Sequence, residues 1–302
     1  TLEAAGIAGL IKIVLALEHH TIPPAANVRS LNTKIDWANV PVYVPLAPEP
    51  WPEPAPGKAR RAGVNAFGIG GLNMHVVVDE FTPDMAKLAK PADRPTGAAV
   101  SPDDAAIAVV GMGCIFPGAP NVAGYWDLLT SGRNPKINAP ADRWRADLAY
   151  EPGSRKPFKS AASLGGYITD FQYDWRAHKL PPKQVAQADP LQFMLLEAAD
   201  EALKDAGYDK KAYERRRVGV VVGTEFGGDF AFQLQMALRL PHLGKLLADI
   251  LTARGRADLA KSLPKRFSDR LLAHWPALVD ESGSFSTSSV ASRLTRRGDL
   301  FG

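Results

Sequence analysis

Cysteine and long apolar runs are the scarcest features of this sequence. Its 302 residues contain one cysteine, Cys114, which excludes a disulfide framework and any zinc site built from cysteine pairs. The lack of disulfides favours a reducing compartment, so we predict a cytoplasmic location. No apolar run reaches the roughly 18 residues that a membrane-spanning helix needs, so the sequence predicts no membrane span.

The short motifs of several common catalytic sites are missing as well. The sequence contains no P-loop, no GxSxG elbow and no HExxH pattern, and we predict no metal site. Gly111 and Gly113 follow a strand-like run, but Phe116 stands where a dinucleotide fingerprint has its third glycine, so a plain turn is favoured. Cys114 has no histidine near it in the sequence, as a nucleophile would require. We therefore predict that Cys114 is a small buried hydrophobe.

Positive charge is too thinly spread for a nucleic-acid-binding protein. The 36 Lys and Arg residues exceed the 32 Asp and Glu residues by a formal net charge of +4, without the dense clusters of such proteins. One stretch, residues 254–270, is richer in basic side chains. It is either a solvated helix face or a docking surface for an acidic protein, and both interpretations stay open. Its basic residues are Arg254, Arg256, Lys261, Lys265, Arg266 and Arg270.

The predicted elements alternate between helices and strands, as in an α/β protein. Residues 3–18 repeat apolar side chains with a helical period, and Gly6 and Gly9 predict the close approach of another backbone. Residues 61–80 indicate two strands around a glycine-rich turn, whereas residues 82–104, rich in Pro, Ala and Asp, are typical of a linker. Three further strands are predicted, buried ones at 75–78 and 218–222 and another at 106–110. One helix is predicted to begin at Asp189 and Pro190 and to end at Gly207, and more helices are predicted within 231–279.

Several long motifs resemble β-ketoacyl synthase domains of modular polyketide or polyunsaturated-fatty-acid synthases. The start of such a domain is similar to IAVVGMGCIFPGAPNVAGYWDLLTSGRNPKINAPADRW, ADPLQFMLLEAADEALKDAGYD and RVGVVVGTEFGGDF. The end of such a domain is similar to TLEAAGIAGLIKIVLALEHHTIPP and RRAGVNAFGIGGLNMHVVVDE. The resemblance implies a thiolase-like layered α/β fold with mixed five-stranded sheets, here as incomplete pieces of two ketosynthase domains.

The order of these motifs is informative, because the end of a domain precedes the start of one. We interpret residues 1–81 as the C-terminal part of an upstream ketosynthase, 82–104 as the linker and 105–302 as the N-terminal part of a downstream one. We then expect a Gly-His pair with a nearby Lys before Thr1. After Gly302 we expect a strand and a small-residue turn, with Cys if the downstream domain is catalytic.

The resemblance also implies the chemistry of the parent protein, a decarboxylative Claisen condensation between acyl and malonyl carrier-protein thioesters. In this family a Cys nucleophile takes the acyl chain, and two His assist decarboxylation. The chain matches none of those three positions, so we predict no catalytic residue in it and no activity alone. Two alternatives remain: the downstream domain is a non-catalytic partner like a chain-length factor, or the segment is mainly a junction and docking module.

One family motif that does occur is the glycine-rich pocket loop, usually written FGFGGTN. The resemblance makes Phe67, Gly68, Ile69, Gly70, Gly71 and Asn73 substrate-binding residues. The loop departs from the family at Ile69, where Phe is usual, and at Leu72, where Thr is usual. No cofactor is expected to bind directly, since phosphopantetheine is carried by the partner acyl carrier protein. Other implied partners are further synthase domains and a second ketosynthase in a dimer.

Overall fold

The computed structural model of the chain describes residues 4–68, 71–83, 107–224, 228–274 and 287–300. It forms two compact units: Thr1–Thr169 with Glu201–Lys210, and Asp170–Asp200 with Lys211–Gly302. The elements of the first unit are α1 (Ala5–Glu18), β1 (Thr21–Ile22), β2 (Glu49–Pro50), β3 (Arg61–Phe67), β4 (Asn73–Asp79), α2 (Val122–Ser131), β5 (Ile137–Asn138), α3 (Ala146–Ala149) and β6 (Leu164–Gly165). Helix α5 (Pro190–Asp205) contributes residues to both units. The elements of the second unit are α4 (Pro182–Gln187), a 3₁₀ turn (Arg215–Arg217), α6 (Gly228–Ala253), α7 (Ala257–His274) and α8 (Thr287–Gly298).

The sheets of the described residues are three antiparallel pairs, β1 with β2, β3 with β4 and β5 with β6. The longest is the β3–β4 hairpin, whose register runs from Arg61 opposite Asp79 to Phe67 opposite Asn73. Burial alternates along β3, because every second side chain faces the same side of a strand. The five-stranded sheets that the resemblance implies are not found among the described residues.

Helix α1 packs closely against the hairpin, as its small residues predict. A methyl group added at Gly6 would lie 3.2 Å from Cβ of Ala66, and one added at Gly9 would lie 3.2 Å from Cγ1 of Val64. The two glycines therefore leave room for β3 on this face of the helix. This predicted close approach is confirmed.

Helix α5 begins and ends as the sequence predicts. The Asp189 side chain accepts a hydrogen bond of 2.9 Å from the backbone N–H of Leu191, which caps the first turn. At the other end Gly207 has φ +75, and the N–H groups of Gly207 and Tyr208 bond back to the carbonyls of Lys204 and Leu203. This is the Schellman arrangement, which needs a residue that tolerates positive φ.

Two strand predictions are wrong, and a third is wrong in part. The described residues 107–110 and 218–222 form no strand, and the side chains of Ile107 and Val221 are 92% and 98% exposed. A strand needs a neighbour to bond its N–H and C=O groups, and neither segment has one among the described residues. β4 does form at 75–78, but it is largely exposed rather than buried, because α1 packs mainly against β3 and covers little of β4.

Candidate functional site

The predicted pocket loop lies at the tip of the β3–β4 hairpin. Phe67 ends β3 and Asn73 begins β4, and the two are register partners. Two backbone bonds close the tip, from Gly68 N–H to Leu72 O and from Gly71 N–H to Gly68 O, both 2.9 Å long. The structure thus brings Phe67, Gly68, Gly71 and Asn73 together, whereas Ile69 and Gly70 lie outside the described residues.

Two features distinguish the tip that carries the predicted pocket loop. The side chains of Phe67 and Leu72 are 74% and 73% exposed, so two large apolar groups stand at the same end of the hairpin. Gly71 has φ +87, and a methyl group added there would meet nothing within 4 Å, so its backbone conformation rather than lack of space favours glycine. The tip combines an apolar surface with a turn that only glycine adopts easily.

The base of the hairpin is held by an ion pair between Arg60 and Glu80. Arg60 is buried, and its Nη1 donates to both carboxylate oxygens of Glu80 at 3.0 and 2.9 Å. His20, which follows α1, lies 2.6 Å from the same carboxylate through Nε2. Partial burial would raise the pKa of the Glu80 carboxyl, but the bonds from Arg60 and His20 outweigh it and lower that pKa. The group is thus held as an anion that joins the hairpin to the end of α1.

Cys114 is buried. This agrees with the sequence-based prediction that it packs as a small hydrophobe, since no histidine lies near it to make it a nucleophile. It belongs to a hydrophobic cluster with Ile11 and Leu15. Burial raises the pKa of its thiol to about 12, with a further contribution from the nearby Glu201 carboxylate. Because the thiolate is the reactive form, this environment suppresses nucleophilic chemistry at Cys114.

Sequence reasoning missed the acidic side chains that hold the turn around Cys114. One carboxylate, that of Glu201, accepts from the backbone N–H groups of Cys114 and Val122, each at 3.0 Å. One helical turn later, Asp205 accepts from the N–H of Met112 at 2.8 Å. The four-residue spacing of the two acids on α5 is a visible signal, but their partners lie about 80 to 90 positions away in the sequence.

The basic stretch 254–270 is exposed at all six predicted docking residues. Arg254 and Arg256 lie in and just after the turn between α6 and α7, and the other four lie on α7. At 100° per residue, Lys261 and Lys265 share one side of α7, whereas Arg266 and Arg270 share another. The structure therefore separates the cations of α7 into two pairs instead of one patch. Lys265 also pairs with Asp269 at 3.0 Å, and Arg256 with Asp258 at 3.5 Å.

In the part of the chain that the structure describes, no helix combines the length and the apolar character needed to cross a membrane.

Comparison with known proteins matches three parts of one enzyme family in consecutive segments of the chain. Residues 1–29 match the β-ketoacyl synthase C-terminal domain, 32–109 the ketoacyl-synthetase C-terminal extension and 104–249 the β-ketoacyl synthase N-terminal domain. The chain belongs to the β-ketoacyl synthase family and is a ketosynthase region of the polyketide and polyunsaturated-fatty-acid synthase type.

Two curated relatives illustrate this type. The chain is 31% identical over 220 residues to one subunit of a polyunsaturated fatty acid synthase of Thraustochytrium, covering 70% of this chain and 10% of the relative. It is 38% identical over 141 residues to one subunit of a phenolphthiocerol/phthiocerol polyketide synthase of Mycobacterium tuberculosis, covering 46% of this chain and 9% of the relative. The chain therefore spans about a tenth of the length of these relatives.

A solved structure supports the fold. The PfaC ketosynthase–chain length factor aligns with 98% of this chain and 29% of its own, at 26% identity and a TM-score of 0.50. The predicted fold class, thiolase-like α/β in incomplete form, is confirmed.

Proposed function

We propose that the chain spans the junction between two consecutive ketosynthase domains of a multidomain synthase. The observation that carries this proposal is the order of the family matches, since a C-terminal domain at 1–29 precedes an N-terminal domain at 104–249. The proposed division is 1–81 for the upstream piece, 82–104 for the linker and 105–302 for the downstream piece. The alignment of nearly the whole chain with a ketosynthase–chain length factor protein supports it.

The proposed reaction of the parent is the decarboxylative Claisen condensation of acyl and malonyl carrier-protein thioesters. Its partners are an acyl carrier protein, whose phosphopantetheine presents the thioester, other domains of the same synthase and a second ketosynthase in a dimer. The proposed location is the cytoplasm. We further propose that this chain contributes the pocket loop at residues 67–73 and carries no member of the catalytic triad.

The pocket loop can be tested in the parent synthase with a pair of glycine variants. Gly71 in the loop and Gly57 outside it both have positive φ and open space around the Cβ position, so replacement by Val strains both backbones alike. We expect Gly71→Val to slow condensation at least tenfold, measured as CO₂ release from malonyl carrier protein, and Gly57→Val to leave the rate unchanged. Equal effects of the two variants would show that the loop is not part of the acyl site.

Cys114 provides a second test, on the isolated chain. Because its thiol is buried and its pKa is raised to about 12, we expect no acyl adduct after incubation with an acyl carrier-protein thioester, measured by intact mass. Iodoacetamide at neutral pH should label Cys114 rapidly only in denaturant, with Cys114→Ser as the unlabelled control. A stable acyl adduct on the folded chain would contradict the proposal that it is inactive alone.

In a second candidate function, the downstream piece has the ketosynthase fold but does not catalyse the condensation. The observation that favours it is the likeness to a protein that includes a chain length factor. In this case the downstream domain shapes the pocket of its neighbour and carries no nucleophile. Counting acylated cysteines in the parent synthase separates the two candidates, because two catalytic domains load two acyl groups and a catalytic domain with a partner loads one.

We further propose that the basic stretch docks the acidic carrier protein, mainly through Arg266 and Arg270. These two side chains have no ion pair among the described residues, whereas Lys265 is already paired with Asp269. We expect the double variant Arg266→Glu/Arg270→Glu to weaken carrier-protein binding at least tenfold at low salt, measured by titration calorimetry. Binding of the carrier protein to the unsubstituted protein should also weaken as salt is added, because exposed charges are screened. Lys261→Glu/Lys265→Glu is the matched control on the other side of α7, and an equal loss there would indicate a non-specific charge effect.

A further inference from the structure

Helix α1 is buried on two opposite sides, which is more contact than a hairpin alone provides. Gly6 and Gly9 face β3. Ile11 and Leu15, which lie about 140° to 180° around the helix from Gly6, are only 5% and 3% exposed. Their neighbours come from the segment between residues 111 and 126.

The contact between α1 and this segment is an apolar core. Ile11 and Leu15 share a buried cluster with Cys114, and five partly buried side chains pack around it. These side chains are those of Met112, Phe116, Val122, Tyr125 and Trp126. Burial of such groups is the main favourable contribution in both folding and association.

Directional contacts fix how the two parts meet. The hydroxyl of Tyr125 lies 3.3 Å from the carbonyl oxygen of Ala8 and donates to it. The rings of His19 and Trp126 are stacked at 4.4 Å with an angle of 11° between their planes. The Tyr125 ring in turn meets Phe116 edge-on at 4.8 Å. These contacts extend along α1 from Ala8 to His19, about three helical turns.

We propose that helix α1 and residues 111–126 form a permanent interface between the two ketosynthase pieces, so that these two segments, which lie on either side of residues 82–104, stay packed together. The division into two pieces rests on the proposed function, whereas the interface itself rests on these contacts. Since the opposite side of α1 carries the hairpin with the pocket loop, the downstream piece supports the element that presents that loop.

The test uses the intact folded chain with a specific protease site inserted between Arg94 and Gly97. After folding and cleavage, we expect the two products to elute together in size-exclusion chromatography and to separate only in denaturant. Separation of the wild-type products in native buffer would overturn the proposal. The result does not depend on catalysis, so it stands apart from the tests of the proposed function.

Substitutions locate the contact. Leu15→Ala should weaken the association of the cleaved products about 30-fold or more, which is the usual cost of removing a buried leucine side chain expressed as an equilibrium constant. Glu18→Gln, on the exposed side of the same helix, should leave it unchanged. If Leu15→Ala fails to fold before cleavage, Tyr125→Phe replaces it, since this variant removes only the bond to Ala8. Association of the cleaved products that is unaffected by both Leu15→Ala and Tyr125→Phe would place the interface elsewhere and overturn the proposal.

Discussion

A Gly111→Ala variant is expected to lose about 3 kcal/mol of its free energy of unfolding, the upper part of the range for overpacked sites. A methyl group at Gly111 would overlap the carbonyl oxygen of Ala202 and would lie 2.8 Å from the backbone nitrogen of Ala206. Both are backbone atoms, one in the last turn of α5 and one in the residue that follows the helix, so neither can move aside as a flexible side chain would. Relief requires the segment at 111 to move away from α5, which breaks the neighbouring hydrogen bond between Met112 N–H and Asp205.

Urea denaturation followed by circular dichroism measures this loss, with Gly219→Ala as the matched control. Gly219 is exposed, has ordinary φ and has nothing within 4 Å of its Cβ position. The control should be neutral or slightly stabilising, because alanine restricts the unfolded chain more than glycine does. A Gly111→Ala variant as stable as the control would show that residue 111 does not lie in van der Waals contact with the backbone at residues 202–206.

Glu201→Ala is expected to cost about 2 to 4 kcal/mol, because one side chain serves two backbone donors. Its carboxylate accepts from the N–H groups of Cys114 and Val122 at 3.0 Å each. Val122 is the first residue of α2, and the side chain of the N-cap residue Asn121 accepts from the N–H of Gly124 rather than from that of Val122. Loss of the carboxylate therefore leaves a partly buried donor at the turn and another at the start of a helix, where negative charge is also favourable.

Two variants on the same helix separate this effect from a change of helix propensity. Lys204→Ala removes an exposed side chain from α5 and should leave the unfolding midpoint nearly unchanged. Glu201→Gln keeps one acceptor oxygen and should fall between the wild type and Glu201→Ala. The same urea transitions measure all three, and a loss for Lys204→Ala as large as that for Glu201→Ala would contradict the role of the carboxylate.

Features that depend on a few neighbouring residues were predictable from the sequence. The caps of α5 at Asp189 and Gly207 follow from side-chain and backbone preferences within one helical turn. The close approach at Gly6 and Gly9 follows from the lack of Cβ atoms. The burial of Cys114 was inferred from the lack of a histidine near it. The family followed from long motifs, and three family matches confirmed it.

The sequence by itself therefore determined the family, the fold class, the ends of α5 and the position of the glycine-rich loop at residues 67–73 between two strands. Only the tertiary structure decided which β-rich segments pair, because a strand exists only with a neighbour, and residues 107–110 and 218–222 have none among the described residues. It also decided that α1 has a second buried side and that Glu201 holds the turn at Cys114. These contacts join residues that are far apart in the chain, and local periodicity carries no information about which distant segment fills a helix face or accepts a given hydrogen bond.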